Sequence, residues 1–147
     1  MIVYFDTSAL VKRYIEEAGS REVIALVEDW NNILGSALIA RVEMAAALQK
    51  AVSLGTISAS LLPEIWQDFL DAWESFTHLQ VPESLVDRAS RIAFEYKLRG
   101  YDSLHLAAAL LWQEALAAPV TLAAYDRELW LAARDAGLEA WPEGLAA

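Results

Sequence analysis

Apolar residues recur along the chain at two spacings, and the alternation between them sketches a fold. Short β-prone apolar runs at 1–5, 33–36, 77–81, 120–123 and 138–141 read as strands. Between them lie segments whose apolar positions repeat at three and four. The first follows Asp6-Thr7-Ser8, residues that favour a helix N-cap, and carries Leu10, Val11 and Tyr14. A second helix over 20–30 sets Val23, Ile24, Val27 and Trp30 against Glu22, Glu28 and Asp29. A third, over 38–53, is rich in helix formers and closes at Gly55. The most strongly amphipathic segment begins near Ser58 or Ser60 and aligns Trp66, Phe69, Trp73 and Phe76 opposite Glu64, Asp68 and Asp71. Pro82 introduces a helix that runs to about Leu98 and that Gly100 terminates. Tyr101-Asp102-Ser103 opens the next, LHLAAALLWQEAL, apolar around its circumference and therefore central; Pro119 ends it. Asp126 begins the last helix, which Gly137 closes before an edge strand.

Strands that alternate with helices require crossover connections, which make neighbouring strands parallel and cover both faces of the sheet. The expected class is α/β, a three-layer α/β/α fold on a short parallel sheet. With no repeat, linker or low-complexity tract, residues 1–147 read as one domain. At 56% hydrophobic residues the chain can bury a core without staples, and zero cysteines exclude disulfides, thiolate catalysis and cysteine-held metals. There is no basic segment ahead of a long apolar stretch, and no run reaches the ~18 uncharged residues of a membrane span. The expectation is a cytoplasmic protein without membrane contact. The net charge of -10 opposes non-specific binding to nucleic acid, which draws on Lys and Arg releasing counterions. A carboxylate cluster that holds cations would account for part of that charge, and a surface for a basic partner for more.

Ligand sites in open α/β sheets lie at the carboxyl ends of the strands. Asp6 follows the first strand, Asp126 follows the run at 120–123 after a two-residue turn, Asp102 begins the buried helix, and Glu43 lies inside the third helix. Capping alone explains each aspartate taken singly, and a solvated helix face explains Glu43. Carboxylates that converge on one crevice repel one another unless cations compensate them, and hard oxygen donors select Mg²⁺ or Mn²⁺. Such a centre polarises a phosphodiester, acidifies a bound water and steadies the departing oxygen, so phosphodiester hydrolysis is the reaction class.

Four stretches, YFDTSALVKRY, SALIARVEMAAAL, RGYDSLHLAAAL and VTLAAYDREL, resemble in order, spacing and context the PIN domains, above all the ribonuclease toxins of VapC-type toxin–antitoxin pairs. The resemblance covers nearly the whole chain. It implies that Asp6, Glu43, Asp102 and Asp126 are a metal-binding acidic quartet for Mg²⁺ or Mn²⁺, with Ser8 a supporting hydroxyl and Thr7 a weaker one. It further implies a metal-dependent endoribonuclease acting on RNA, a homodimer, and a cognate antitoxin whose basic side chain reaches toward Asp6 and Asp102. Ser103 stands where the family more often has alanine, a change expected on the solvent side of Asp102. His105 reads as structural, and the aromatic stripe of Trp66 to Phe76 as packing. Among Lys12, Arg13, Arg41, Arg99 and Arg127, all close in sequence to an acid, Arg13 and Arg41 are the favoured phosphate contacts. Competing readings are a catalytically silent PIN-like interaction module and a structure-specific DNA nuclease. A dehalogenase-type phosphotransferase needs an aspartate where Ser8 stands, and a receiver domain needs a late lysine, whereas no lysine follows Lys97.

Overall fold

The computed structural model describes residues 1–145. Its strands are β1 (Ile2–Phe5), β2 (Ile33–Ala37), β3 (Thr77–Leu79), β4 (Thr121–Ala123) and β5 (Glu139–Trp141). They form one parallel sheet in the order β3-β2-β1-β4-β5. The helices are α1 (Thr7–Leu10), α2 (Ser20–Glu28), α3 (Ala40–Ser53), α4 (Leu62–Trp73), α5 (Glu83–Tyr96), α6 (Gly100–Leu116) and α7 (Arg127–Asp135). Alternation along the central strand β1 divides the core. Tyr4 joins Leu106, Trp112, Leu122 and Leu129 beneath α5, α6 and α7. Val3 and Phe5 point the other way, to Val23, Met44, Phe69, Trp73 and Phe76 beneath α2, α3 and α4. Both faces of β1 are therefore buried, as a parallel sheet covered by helices demands.

The aromatic stripe of α4 is core: Phe69 packs between Trp66 and Trp73, with ring centroids 5.1 and 5.5 Å away, and Trp73 continues to Phe76. Among the described residues no helix is long and apolar enough to cross a membrane. The apolar circumference of α6 is buried as expected, pressed against β2 at Gly35. A Cβ on Gly35 would stand 2.7 Å from the Trp112 ring, so this approach requires glycine.

Several boundaries differ from the sequence expectation. Helix α2 stops at Glu28, which leaves Trp30 beyond the helix and exposed instead of on its apolar face. Gly100 does not stop α5; it opens α6, and α5 ends at Lys97, which takes the left-handed conformation with φ 56°. Buried Leu98 anchors the chain just beyond, which lets a lysine occupy a conformation normally left to glycine. Helix α3 starts at Ala40 rather than near Leu38, and this places Glu43 in its first turn instead of mid-helix. That shift brings Glu43 beside the carboxyl end of β2.

Candidate active site

The register Phe5↔Ala123 and Tyr4↔Gly35 brings the carboxyl ends of β1, β4 and β2 side by side. Four helix N-termini meet above them, and each carries an acid of the expected quartet. Asp6 caps α1, accepting from the Ser8 N–H at 3.0 Å and from the Ser8 hydroxyl. Asp126 caps α7, accepting from the Leu129 N–H at 3.0 Å. Glu43 and Asp102 occupy the first turns of α3 and α6. Capping and convergence are thus one arrangement, and the positive ends of the helices offset part of the repulsion among the carboxylates.

Ser8 fastens two sides of this crevice. While its hydroxyl donates to Asp6, it accepts the Tyr125 N–H at 2.9 Å, one residue before Asp126. Thr7 donates to Glu43 Oε1 at 3.1 Å. The same oxygen accepts from His105 Nε2 at 2.5 Å, and Asp6 Oδ1 lies 3.6 Å from that nitrogen. On its other side, fully buried His105 is hydrogen-bonded through Nδ1 to the Tyr4 hydroxyl at 2.7 Å, and that hydroxyl accepts the Ala37 N–H at 3.1 Å. A continuous chain therefore runs from the end of β2 through Tyr4 and His105 to Glu43. Burial works against both charges, yet the bond between them prevails: Glu43 is held below the usual glutamate range and His105 is pushed above the usual histidine range.

Arg99 spans the opposite side, with Nε 3.0 Å from Asp102 Oδ2 and Nη2 2.8 Å from Asp126 Oδ2. Despite this partner, Asp102 is pushed above the ordinary aspartate range, first by burial and then by the charges of Asp6 and Asp126. Mutual repulsion is thus felt inside the crevice. Among the described residues no three acid or imidazole groups form a ready-made coordination cage; Arg99 and His105 engage the carboxylates instead. The donor chemistry nevertheless fits a hard divalent cation: four carboxylates at one crevice, with a guanidinium between two of them where positive charge is needed.

Arg13 pairs with Glu28 at 3.3 Å, in a hollow shared with Tyr14, Asp68 and Asp71. Arg41 is exposed on the first turn of α3, the same turn that carries Glu43. Ser103 is buried rather than solvent-facing, because its hydroxyl donates back to the Arg99 carbonyl at 2.9 Å. His105 and Arg99 are the contributors that sequence reasoning ranked low. Their position three residues to either side of Asp102 was the available signal.

No family model matches the chain. Over 145 residues, 98% of this chain and 97% of the relative, it is 34% identical to Ribonuclease VapC45 of Mycobacterium tuberculosis strain CDC 1551 / Oshkosh. The chain belongs to the VapC ribonuclease family. Ribonuclease VapC49 of Mycobacterium tuberculosis strain ATCC 25618 / H37Rv matches with the same 34% identity over the same 98% of the chain. Solved structures share the fold. PAE2754 from Pyrobaculum aerophilum superposes with TM-score 0.65 at 21% identity, covering 95% of this chain and 83% of that one. VapBC2 from Rickettsia felis, bound to a fragment of its promoter DNA, gives 0.63 at 15% identity over 97% and 100%.

Proposed function

We propose that the crevice is the centre of a metal-dependent endoribonuclease, the toxin of a toxin–antitoxin pair, in which Asp6, Glu43, Asp102 and Asp126 hold Mg²⁺ or Mn²⁺. The observation that carries this reading is the convergence of four carboxylates on four helix N-termini, with Asp102 pushed up by Asp6 and Asp126. When bound, the cation supplies charge neutralisation at the scissile phosphate and a more acidic water. The chain's own residues prepare for it. Ser8 sets the rotamer of Asp6, and His105 together with Thr7 aims Glu43. Arg99 bridges Asp102 and Asp126 and, once released, contacts a substrate phosphate.

The test is cleavage of a panel of structured RNAs with Mg²⁺, with Mn²⁺ and with EDTA. Asp6→Asn keeps the size and the capping ability of residue 6, so the fold should persist while cleavage falls by at least about 100-fold. Cleavage by this variant at the wild-type rate would remove Asp6 from the centre.

The reading extends to a cytoplasmic homodimer that binds an antitoxin protein. The solved neighbours include a toxin–antitoxin complex from Klebsiella pneumoniae.

A further inference from the structure

Beside the acids, a cleft of about 720 Å³ opens between α5 and α6, within the ~300–1,000 Å³ range of small-ligand sites. Val86, Ala89 and Ala93 of α5 and Leu104 of α6 form its apolar wall, and the Tyr101 ring stands at the lip with 62% of its surface exposed. Glu43, Arg99 and Asp102 also line it, so the cleft and the acid crevice are continuous.

We propose that this cleft is a nucleobase subsite: it receives a base of the RNA strand next to the phosphodiester held at the acids, and Tyr101 stacks on that base. The proposal rests on the nuclease reading above. A strand whose phosphate lies at Asp102 must place a neighbouring base within one nucleotide of it, and the adjoining space has the character a base needs. Its wall is apolar, which suits a π-face and repels a phosphate. Tyr101 lines the same cleft as Asp102 and is exposed, so an aromatic ring is available near the acids, and ring-on-base stacking is a recurrent contact to single strands. Arg99 sits where cleft and acids meet, placed to contact the phosphate that links the bound base to the reacting one. In the nuclease reading a phosphate is drawn to the cation at the acids, and the base joined to that phosphate is then the group nearest the apolar wall of the cleft.

The probe is a cleavable RNA oligonucleotide and a set of versions each abasic at one position flanking the cleavage site. One abasic position should lower kcat/KM about tenfold or more. Tyr101→Ala should lose a similar factor on the intact RNA and nothing further on that abasic RNA. Ala93→Trp, which fills the cleft, should likewise erase the difference between the two RNAs, with folding checked by thermal melting. Equal cleavage of all abasic RNAs by the wild type overturns the subsite while leaving the nuclease reading intact. Inactive Asp6→Asn beside an active wild type keeps the two readings distinguishable. If Ala93→Trp alters the mass in solution while the base dependence persists, the cleft is an interface between copies and the proposal fails.

Discussion

His105 is fully buried and bonded to a tyrosine hydroxyl on one side and a carboxylate on the other, so its replacement removes both the tie to Tyr4 and the aiming of Glu43. Partners that orient metal ligands are worth about 10–100-fold in affinity or activity, and His105→Phe should lose cleavage and metal affinity together by that factor. Unchanged metal titration alongside lost cleavage would instead give His105 a direct part in the chemistry. The pH dependence of the pair follows from its two directions. Stability from raised His105 is full below its ordinary value of 6.5 and is lost as pH rises through the elevated one. Stability from lowered Glu43 is full above its ordinary 4.5 and is lost as pH falls through the depressed one. Asp102 has the opposite sign to Glu43. Because its folded value is raised above 3.8, its contribution is present only when protonated and is lost as pH rises through the raised value, so the charged form strains the metal-free protein. Asp102→Asn should therefore hold or raise the metal-free melting temperature at pH 7, with the gain vanishing at strongly acid pH. The bond it weakens ends on a largely exposed arginine, so solvent screening keeps its contribution small. A clear fall in melting temperature at pH 7 would contradict this. Asp6, Asp102 and Asp126 stand out in the sequence because each sits in a local strand-to-helix or helix-start context, whereas Glu43, read there as mid-helix, joins them only through the family resemblance. The bond of His105 to Glu43 joins residues 62 apart and exists only once β1 and β2 lie side by side, so no local pattern announces it.

At the scale of elements, periodicity was enough to read the five strands and the central helix, because burial on both faces of a parallel sheet writes itself into runs of apolar residues. Helix ends were less legible. The stop at Lys97 depends on Leu98 being buried, a tertiary anchor that overrides the expectation placed on Gly100. The start of α3 at Ala40 matters more, since it turns a supposedly mid-helix glutamate into a first-turn residue at the site. The packing of α6 on β2 makes its own prediction. A methyl on Gly35 would enter the Trp112 ring and approach the Thr77 carbonyl at 3.2 Å, so Gly35→Ala should destabilise by ~1–3 kcal/mol, the usual range for overpacking. Denaturant midpoints measure it. An unchanged midpoint would mean that Trp112 swings aside freely and that α6 is less firmly seated than its burial implies.

Across the whole molecule, a charge of -10 and a crevice of carboxylates select partners by sign. That field repels a polyanion such as RNA and draws in a basic peptide; under the proposed function, cations at the acids offset the repulsion. Arg99 already illustrates the geometry, since one guanidinium bridges Asp102 and Asp126. An antitoxin segment that lays apolar side chains on exposed Val42 or Phe94 and extends an arginine into the crevice would repeat that bridge from outside. Antitoxin binding and metal binding then draw on the same carboxylates, and each must weaken the other by the same factor. Co-expression with the protein of the neighbouring gene, followed by size exclusion, should yield a joint complex whose affinity falls as salt rises and as Mn²⁺ is added. Arg99→Ala should strengthen the association, because the internal guanidinium no longer competes for Asp102 and Asp126. A complex insensitive to both Mn²⁺ and the loss of Arg99 would show that the antitoxin binds away from the acids and inhibits by covering the surface alone.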